Sequence, residues 1–207
     1  MGLDVNLCRF GTLDTEAILE LSRFAGEPWA FEAGADRKLK AKARELGLPE
    51  GILAQSYFGG TGVSLPSRKH PEGPPVGDWS SFGGTRELMK CFTGKDIYFV
   101  FPEAEAIGAG HGFFRPDWMA ARTKLIGILQ ALRTVKPAEI EDYHAQFVTP
   151  QVPQDLLEQV KRLNPAQIAT PSQVFGGGLA QIEVMIETLD VVLNSENPGE
   201  FLLYWSA

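Results

Sequence analysis

The two ends of the chain carry the hydrophobic patterns of β-strands. Within residues 3–10, Leu3, Val5 and Leu7 alternate with polar positions, which predicts a strand that buries one face. Residues 201–205 are apolar without interruption and predict a last, buried strand. Strands in these two places would tie both termini to the body of the protein.

A second continuous apolar run lies in the middle of the chain, at residues 97–101, with the sequence Ile-Tyr-Phe-Val-Phe. Uninterrupted apolar runs are typical of central strands that are covered on both faces. We therefore expect residues 97–101 to form an interior strand of the sheet.

Several segments repeat apolar residues every three or four positions, which predicts amphipathic helices. The longest spans residues 116–134, where Pro116 and Asp117 suit the first turn. Its apolar stripe consists of Trp118, Ala121, Leu125, Ile128, Leu129 and Leu132. We expect Trp118 and Leu125 to pack against the sheet.

The other helices are predicted on the same grounds. Thr12 and Asp14 open the first, and glycines end the next two. Later predicted helices span residues 36–46, 85–92, 138–146 and 154–163. A glycine run at residues 176–178 precedes a last helix, whose predicted stripe is Leu179, Ile182, Ile186, Leu189 and Leu193.

These elements predict a single α+β domain over residues 1–207. Helices outnumber strands and the strands are unevenly spaced, which favours a small sheet over a doubly wound one. The sheet would include the N- and C-terminal strands and be covered by several amphipathic helices. With 207 residues, the chain has the usual length of one domain and can bury a sufficient core.

Residues 56–84 are rich in glycine and proline and show no helical period. Long loops in compact domains are usually functional or disordered. Aromatic side chains favour burial, so Tyr57, Trp79 and Phe82 argue for order. We expect an ordered loop that packs on the domain and serves as a lid or an interface.

Composition narrows the classes of function. The net charge is -7, which disfavours nonspecific nucleic-acid binding because that depends on clustered Lys and Arg. No apolar run approaches the roughly 18 residues of a membrane span, and the first residues do not resemble a signal peptide. Cys8 and Cys91 are too few for a disulfide framework and are expected to be small buried hydrophobes. The reducing cytoplasm is the expected compartment.

An aromatic residue followed by glycines recurs at residues 57–62, 81–85 and 175–178. The second and third copies lie at predicted helix starts, where free N–H groups attract anions. The candidate ligands of a phosphate or carboxylate are Ser81, Gly83, Gly84 and Thr85. The alternative is ordinary helix entry, with glycine in the turn and phenylalanine packed beneath it. The P-loop and dinucleotide fingerprints are both absent, and no cofactor is expected.

His111, Arg115 and Asp117 stand at the head of the long helix. In an enzyme, His111 would act as general acid or base and Arg115 would hold an anionic group. In the alternative, Asp117 lies on the helix dipole, Arg115 pairs with it, and His111 is exposed in a loop. No pair of histidines has the spacing of a zinc site, so no metal is expected.

The helix predicted at residues 36–46 is basic although the protein is acidic. Arg37, Lys40 and Arg44 lie opposite its apolar stripe. They form either a solvated face or a docking face for an acidic partner or a phosphate-bearing ligand.

Two functions from different classes follow. The first is a non-catalytic binding protein of inhibitor, immunity or adaptor type, whose protein–protein surface includes Tyr57, Trp79 and Phe82. The second is a small-molecule enzyme or sensor that binds an anionic ligand at the glycine-rich helix starts, with His111 and Arg115 near the site. Neither a nucleic acid nor a membrane is an expected partner. A deep pocket would favour the second, and exposed aromatic residues on a flat surface would favour the first.

Overall fold

The structure, a computed structural model, describes residues 4–25, 35–49, 83–108, 110–148, 155, 158 and 170–206. The strands are β1 (Asp4–Arg9), β2 (His111–Phe114) and β3 (Phe201–Ser206). The helices are α1 (Thr15–Ala25), α2 (Ala35–Glu45), α3 (Gly83–Thr93), α4 (Ile97–Val100), α5 (Trp118–Leu132), α6 (Pro137–Tyr143) and α7 (Pro171–Leu193). Short 3₁₀ helices span Pro102–Ala106 and Pro198–Glu200, and a π-helical turn, His144–Val148, follows α6. The glycine-rich loop up to residue 82, and most of the helix predicted at residues 154–163, lie outside the described residues.

The three strands form one antiparallel sheet in the order β1-β3-β2. β3 is the central strand, and Trp205 pairs with Val5 on one side and with Gly112 on the other. The continuous apolar sequence of β3 fits this position, because both of its faces are covered. The predicted α+β fold, with N- and C-terminal strands in a small sheet, is confirmed.

Helices cover both faces of the sheet. On one face, Leu202 and Tyr204 join a core with the apolar sides of α1 and α2. On the other, Leu203 and Trp205 belong to a larger core with residues of α3, α4, α5 and α7. Side chains that alternate along β3 therefore pack into two separate cores, one on each face of the sheet.

The predicted stripe of α5 is buried in full, from Trp118 to Leu132. Trp118 and Leu125 lie in the same core as the sheet residue Trp205, so their predicted burial is confirmed. Asp117 accepts a hydrogen bond of 2.9 Å from the backbone N–H of Ala120 and caps the helix.

The prediction of a central strand at residues 97–101 is wrong. The segment forms the single turn α4 and runs into the 3₁₀ helix Pro102–Ala106. Its fully buried members, Ile97, Val100, Phe101 and Ala104, repeat with helical spacing. Asp96 caps the turn by accepting a hydrogen bond of 2.6 Å from the N–H of Ile97.

The last helix begins earlier than predicted. Thr170 caps α7 in a reciprocal arrangement with Gln173, so the glycines at residues 176–178 lie inside the helix. The buried stripe is rotated from the predicted one and consists of Phe175, Gly178, Ile182, Met185, Thr188, Leu189 and Val192. A Cβ at Gly178 would lie 3.1 Å from Leu88 Cδ1, so this glycine permits α3 to pack closely on α7.

Two further predictions need correction. His111–Phe114 is an edge strand rather than a loop, and a Cβ at Gly112 would lie 3.2 Å from Ser22 Oγ of α1. Glycine at this position therefore lets α1 approach β2. Cys8 is buried as expected, whereas Cys91 is exposed because it lies on the outer side of α3.

Candidate functional site

The residues predicted to bind an anion are only partly covered by the structure. Ser81 lies outside the described residues, as do the predicted interface residues Tyr57, Trp79 and Phe82. Gly83 and Gly84 form the first turn of α3. Thr85 is buried, and its hydroxyl donates a hydrogen bond to the side-chain carbonyl of Gln181 in α7. This hydroxyl therefore joins two helices.

The third aromatic-glycine copy, at residues 175–178, does not lie at a helix start. Its glycines belong to the second and third turns of α7, which begins at Pro171. Backbone N–H groups this far inside a helix bond to carbonyls one turn earlier. The prediction that this copy offers free N–H groups to an anion is wrong.

Arg115 is held by other parts of the protein. Its guanidinium pairs with Glu16 and donates to the hydroxyl of Thr15 and to the carbonyl of Gly199. The predicted alternative of an Arg115–Asp117 pair is wrong, because Asp117 caps α5 and Arg115 turns towards the start of α1. Arg115 thus joins α1 to the turn before β3.

His111 is exposed at the start of β2, opposite Ser206. Arg115 follows four positions later, just beyond the end of β2, so a chain rise of about 13 Å separates the two residues. Within the described ranges, no group of three or more His, Cys, Asp or Glu side chains could hold a metal ion. None of the described helices is long and apolar enough to cross a bilayer.

The basic helix α2 is partly engaged with its neighbours. Lys42 forms salt bridges of 2.7 Å with Glu20 of α1 and 2.8 Å with Glu45, and these contacts raise its pKa. Lys40 and Arg37 are exposed. Part of the positive charge of α2 therefore serves to hold it against α1.

A different surface, on α4, combines exposed apolar area with positive charge. Two large apolar side chains are exposed in the described part of the chain, Phe99 at 41% and Met119 at 57%. Phe99 stands on the outer side of α4, whose inner residues Ile97 and Val100 are fully buried. The position of the ring is therefore set by a turn that is anchored in the core.

Two lysines flank the ring of Phe99. The ammonium of Lys95 lies 4.6 Å from the ring centroid and that of Lys124, from α5, lies 5.3 Å from it. Both are cation–π distances. Neither lysine has a salt-bridge partner among the described residues. We call Lys95, Phe99 and Lys124 the Phe99 surface.

An ion pair at the start of α4 fixes this turn. Arg86 donates to both carboxylate oxygens of Asp96, at 2.7 and 2.8 Å, and its guanidinium lies 5.1 Å from the ring centroid of Tyr98. The Arg86 guanidinium lowers the pKa of the Asp96 carboxyl below its ordinary value. Because Asp96 also caps α4, the ion pair and the helix start are one structural unit.

Sequence analysis did not single out the Phe99 surface. The signal that could have found it is the helical spacing of Ile97, Val100 and Phe101, which leaves Phe99 on the opposite side. Lys124 is far away in sequence, so its contact with the ring depends on how α4 packs on α5.

Comparisons with known proteins gave no match. No family model matches the chain, and no curated protein or solved structure resembles it significantly.

Proposed function

We propose that this chain is a non-catalytic binding protein, of inhibitor, immunity or adaptor type, and that its protein–protein surface includes the Phe99 surface. The proposal rests on one observation: Phe99 is 41% exposed although its helical turn is anchored in the core. Aromatic residues are enriched at protein interfaces, where their burial contributes much of the binding energy.

The rigidity of the support adds to this argument. Ile97 and Val100 anchor the inner side of α4, and the Arg86–Asp96 pair holds its start. A partner that covers Phe99 would therefore bind a ring that is already in place, and little conformational entropy would be lost on binding.

The alternative, an anionic ligand at a glycine-rich helix start, has less support. Arg115 and Thr85, which would have bound the anion, are engaged with Glu16 and Gln181. These contacts do not involve Gly83 and Gly84, so the first turn of α3 is the remaining candidate for binding an anion. The reducing cytoplasm stays the proposed compartment, since Cys8 and Cys91 are not joined in a disulfide.

The test compares a Phe99→Ser chain with the native chain. Tagged chains are isolated from the cells that make this protein, and any protein retained in stoichiometric amount is purified and titrated calorimetrically. Phe99→Ser should weaken its binding by at least about thirtyfold, the effect of losing an interface hot spot. Met119→Ser, which removes the other exposed apolar side chain, should bind like the native chain.

Melting temperatures of both variants are measured first, so that loss of binding is not mistaken for loss of folding. Equal affinity of the Phe99→Ser and native chains would overturn the proposal, as would the absence of any stoichiometric protein partner.

A further inference from the structure

We infer that the partner presents an acidic segment to the Phe99 surface, with carboxylates on either side of an apolar side chain. This inference rests on the proposed function and adds the chemistry of the partner. It is carried by the two ammonium groups that share one exposed ring.

The two ammonium groups lie close to each other. Since they are 4.6 and 5.3 Å from the same centroid, they can be no more than about 10 Å apart. This bound is close to the Debye length, about 8 Å at physiological salt, so the two like charges repel and are only partly screened. A carboxylate placed between or beside them would replace this repulsion with attraction.

Six other basic side chains among the described residues already have acidic partners. Carboxylates lie within salt-bridge distance of Arg9, Lys42, Arg86, Arg115, Arg122 and Arg133. Among the described residues, the ammonium groups of Lys95 and Lys124 interact with the Phe99 ring and form no salt bridge. Their charge is therefore available to a partner.

The acidic groups near α4 leave this charge uncompensated. Asp96 is bound to Arg86, and Glu103 accepts a hydrogen bond of 3.3 Å from the N–H of Asp117 at the start of α5. Lys90 lies close enough to Asp96 to lower the pKa of its carboxyl. Glu87 and Glu105 are exposed but make no salt bridge with Lys95 or Lys124.

The ring adds an apolar requirement to the electrostatic one. Both ammonium groups lie within 5.3 Å of the ring centroid, so an apolar side chain that covers the ring would bring its neighbours to the ammonium groups. The chain carries a net charge of -7, which opposes the approach of an acidic partner over long distances. Recognition of an acidic partner then depends on short-range contacts with Lys95 and Lys124. Binding should therefore be measured near 0.15 M salt, where distant charges are screened.

The experiment uses blocked heptapeptides as probes. The acidic probe is Gly-Glu-Glu-Leu-Glu-Glu-Gly, and its counterparts carry Gln or Lys at every Glu, or Ala in place of Leu. Each is titrated into isotope-labelled protein while the resonances of the Phe99 ring and of the Lys95 and Lys124 side chains are followed. The acidic peptide with Leu should shift these resonances, and the other three should bind more weakly or not at all.

Charge-neutral variants then test the lysines. Lys95→Gln and Lys124→Gln should each weaken the acidic peptide about two- to fivefold. Lys40→Gln, which removes an exposed lysine from α2, should leave the affinity unchanged. Phe99→Ser should abolish binding of this peptide.

Several results would overturn the inference. These are equal binding of the Gln or Lys peptide, no shift with any peptide, binding of the acidic peptide at α2, or stronger shifts with oligothymidine or anionic phospholipid vesicles. The proposed function is judged separately, because a protein partner that depends on Phe99 but not on Lys95 or Lys124 would support it while contradicting the acidic segment.

Discussion

The hydroxyl of Ser22 accepts a hydrogen bond of 2.8 Å from the backbone N–H of Phe113, and so joins α1 to the outer edge of β2. An edge strand normally presents unpaired N–H groups to other chains. Ser22 is buried, so its contact covers one such group inside the protein. At this point the β2 edge is closed by a side chain from the helix layer.

Ser22→Ala should destabilise the protein by about 1–3 kcal/mol, because the buried N–H of Phe113 loses its acceptor. Urea unfolding measures the effect. Ser172→Ala, at an exposed position in the first turn of α7, should change the free energy of unfolding by less than about 0.5 kcal/mol. Equal effects of the two substitutions would show that the Ser22 contact contributes little.

The glycines of α7 should respond differently to alanine. A Cβ at Gly177 meets open space, so Gly177→Ala should stabilise the helix by about 0.5–1 kcal/mol. A Cβ at Gly178 would lie 3.1 Å from Leu88 Cδ1 and would push α3 away. We expect Gly178→Ala to be less stable than Gly177→Ala by at least about 1 kcal/mol, measured by chemical denaturation. The same stability in both variants would mean that α3 and α7 have room at Gly178.

Adjacent residues at the start of α5 provide another matched pair. Trp118 is buried at 8% exposure, and Trp118→Ala should cost about 3–5 kcal/mol. Met119 is exposed, and Met119→Ala should change stability by no more than about 0.5 kcal/mol. Thermal and urea unfolding measure both effects. A larger loss of stability from Met119→Ala than from Trp118→Ala would show that α5 is rotated from the described position.

The Arg86–Asp96 pair predicts a pH dependence of stability. The folded-state pKa of Asp96 is lowered, so its contribution is present above the pKa of the unfolded chain, about 3.9, and is lost as pH falls through the folded-state value. Asp96→Asn removes this titration. The difference in unfolding free energy between native protein and variant should therefore shrink from about pH 6 to about pH 3.

Urea unfolding at several pH values checks this expectation, with Asp142→Asn at an exposed position of α6 as the control. A native–Asp96→Asn difference that stays constant over the acid range would mean that the Arg86 contact does not stabilise the charged carboxylate.

The fold was predictable where the periodicity allowed one interpretation. Alternation gave β1, and three- and four-residue spacing gave α1, α2 and α5. The apolar run at residues 97–101 allowed two interpretations, because a short buried strand and a buried helical turn have the same composition. Asp96 before the run and Pro102 after it are the local signals that favour the helical turn.

Glycine misled the prediction of two other elements. The glycine run at residues 176–178 predicts a helix that begins after it, whereas Thr170 and Gln173 mark the start of α7. At Gly112 a glycine suggested a loop, although it permits the approach of α1 to β2. At Gly112 the helix that packs against the glycine decides its role, and sequence patterns do not contain that information. The capping box of Thr170 and Gln173 is, by contrast, a sequence signal that places the start of α7.

The candidate site was out of reach for a related reason. Exposure of Phe99 depends on the helical phase of α4, and its contact with Lys124 depends on packing between α4 and α5. The predicted residues Thr85 and Arg115 were instead taken up by contacts between elements. Packing between distant segments thus forms the Phe99 surface, and it also engages the side chains that were predicted to bind an anion.

Photo-crosslinking in the cells that make this protein tests the central claim, that Phe99 lies in a protein-binding surface, most directly. Phe99 is replaced with p-benzoylphenylalanine, which keeps the aromatic ring, and Met119 is replaced in the same way as the matched exposed position. After irradiation, we expect a discrete crosslinked protein from position 99 that is absent from position 119. No crosslink at position 99, or the same products from both positions, would contradict the account.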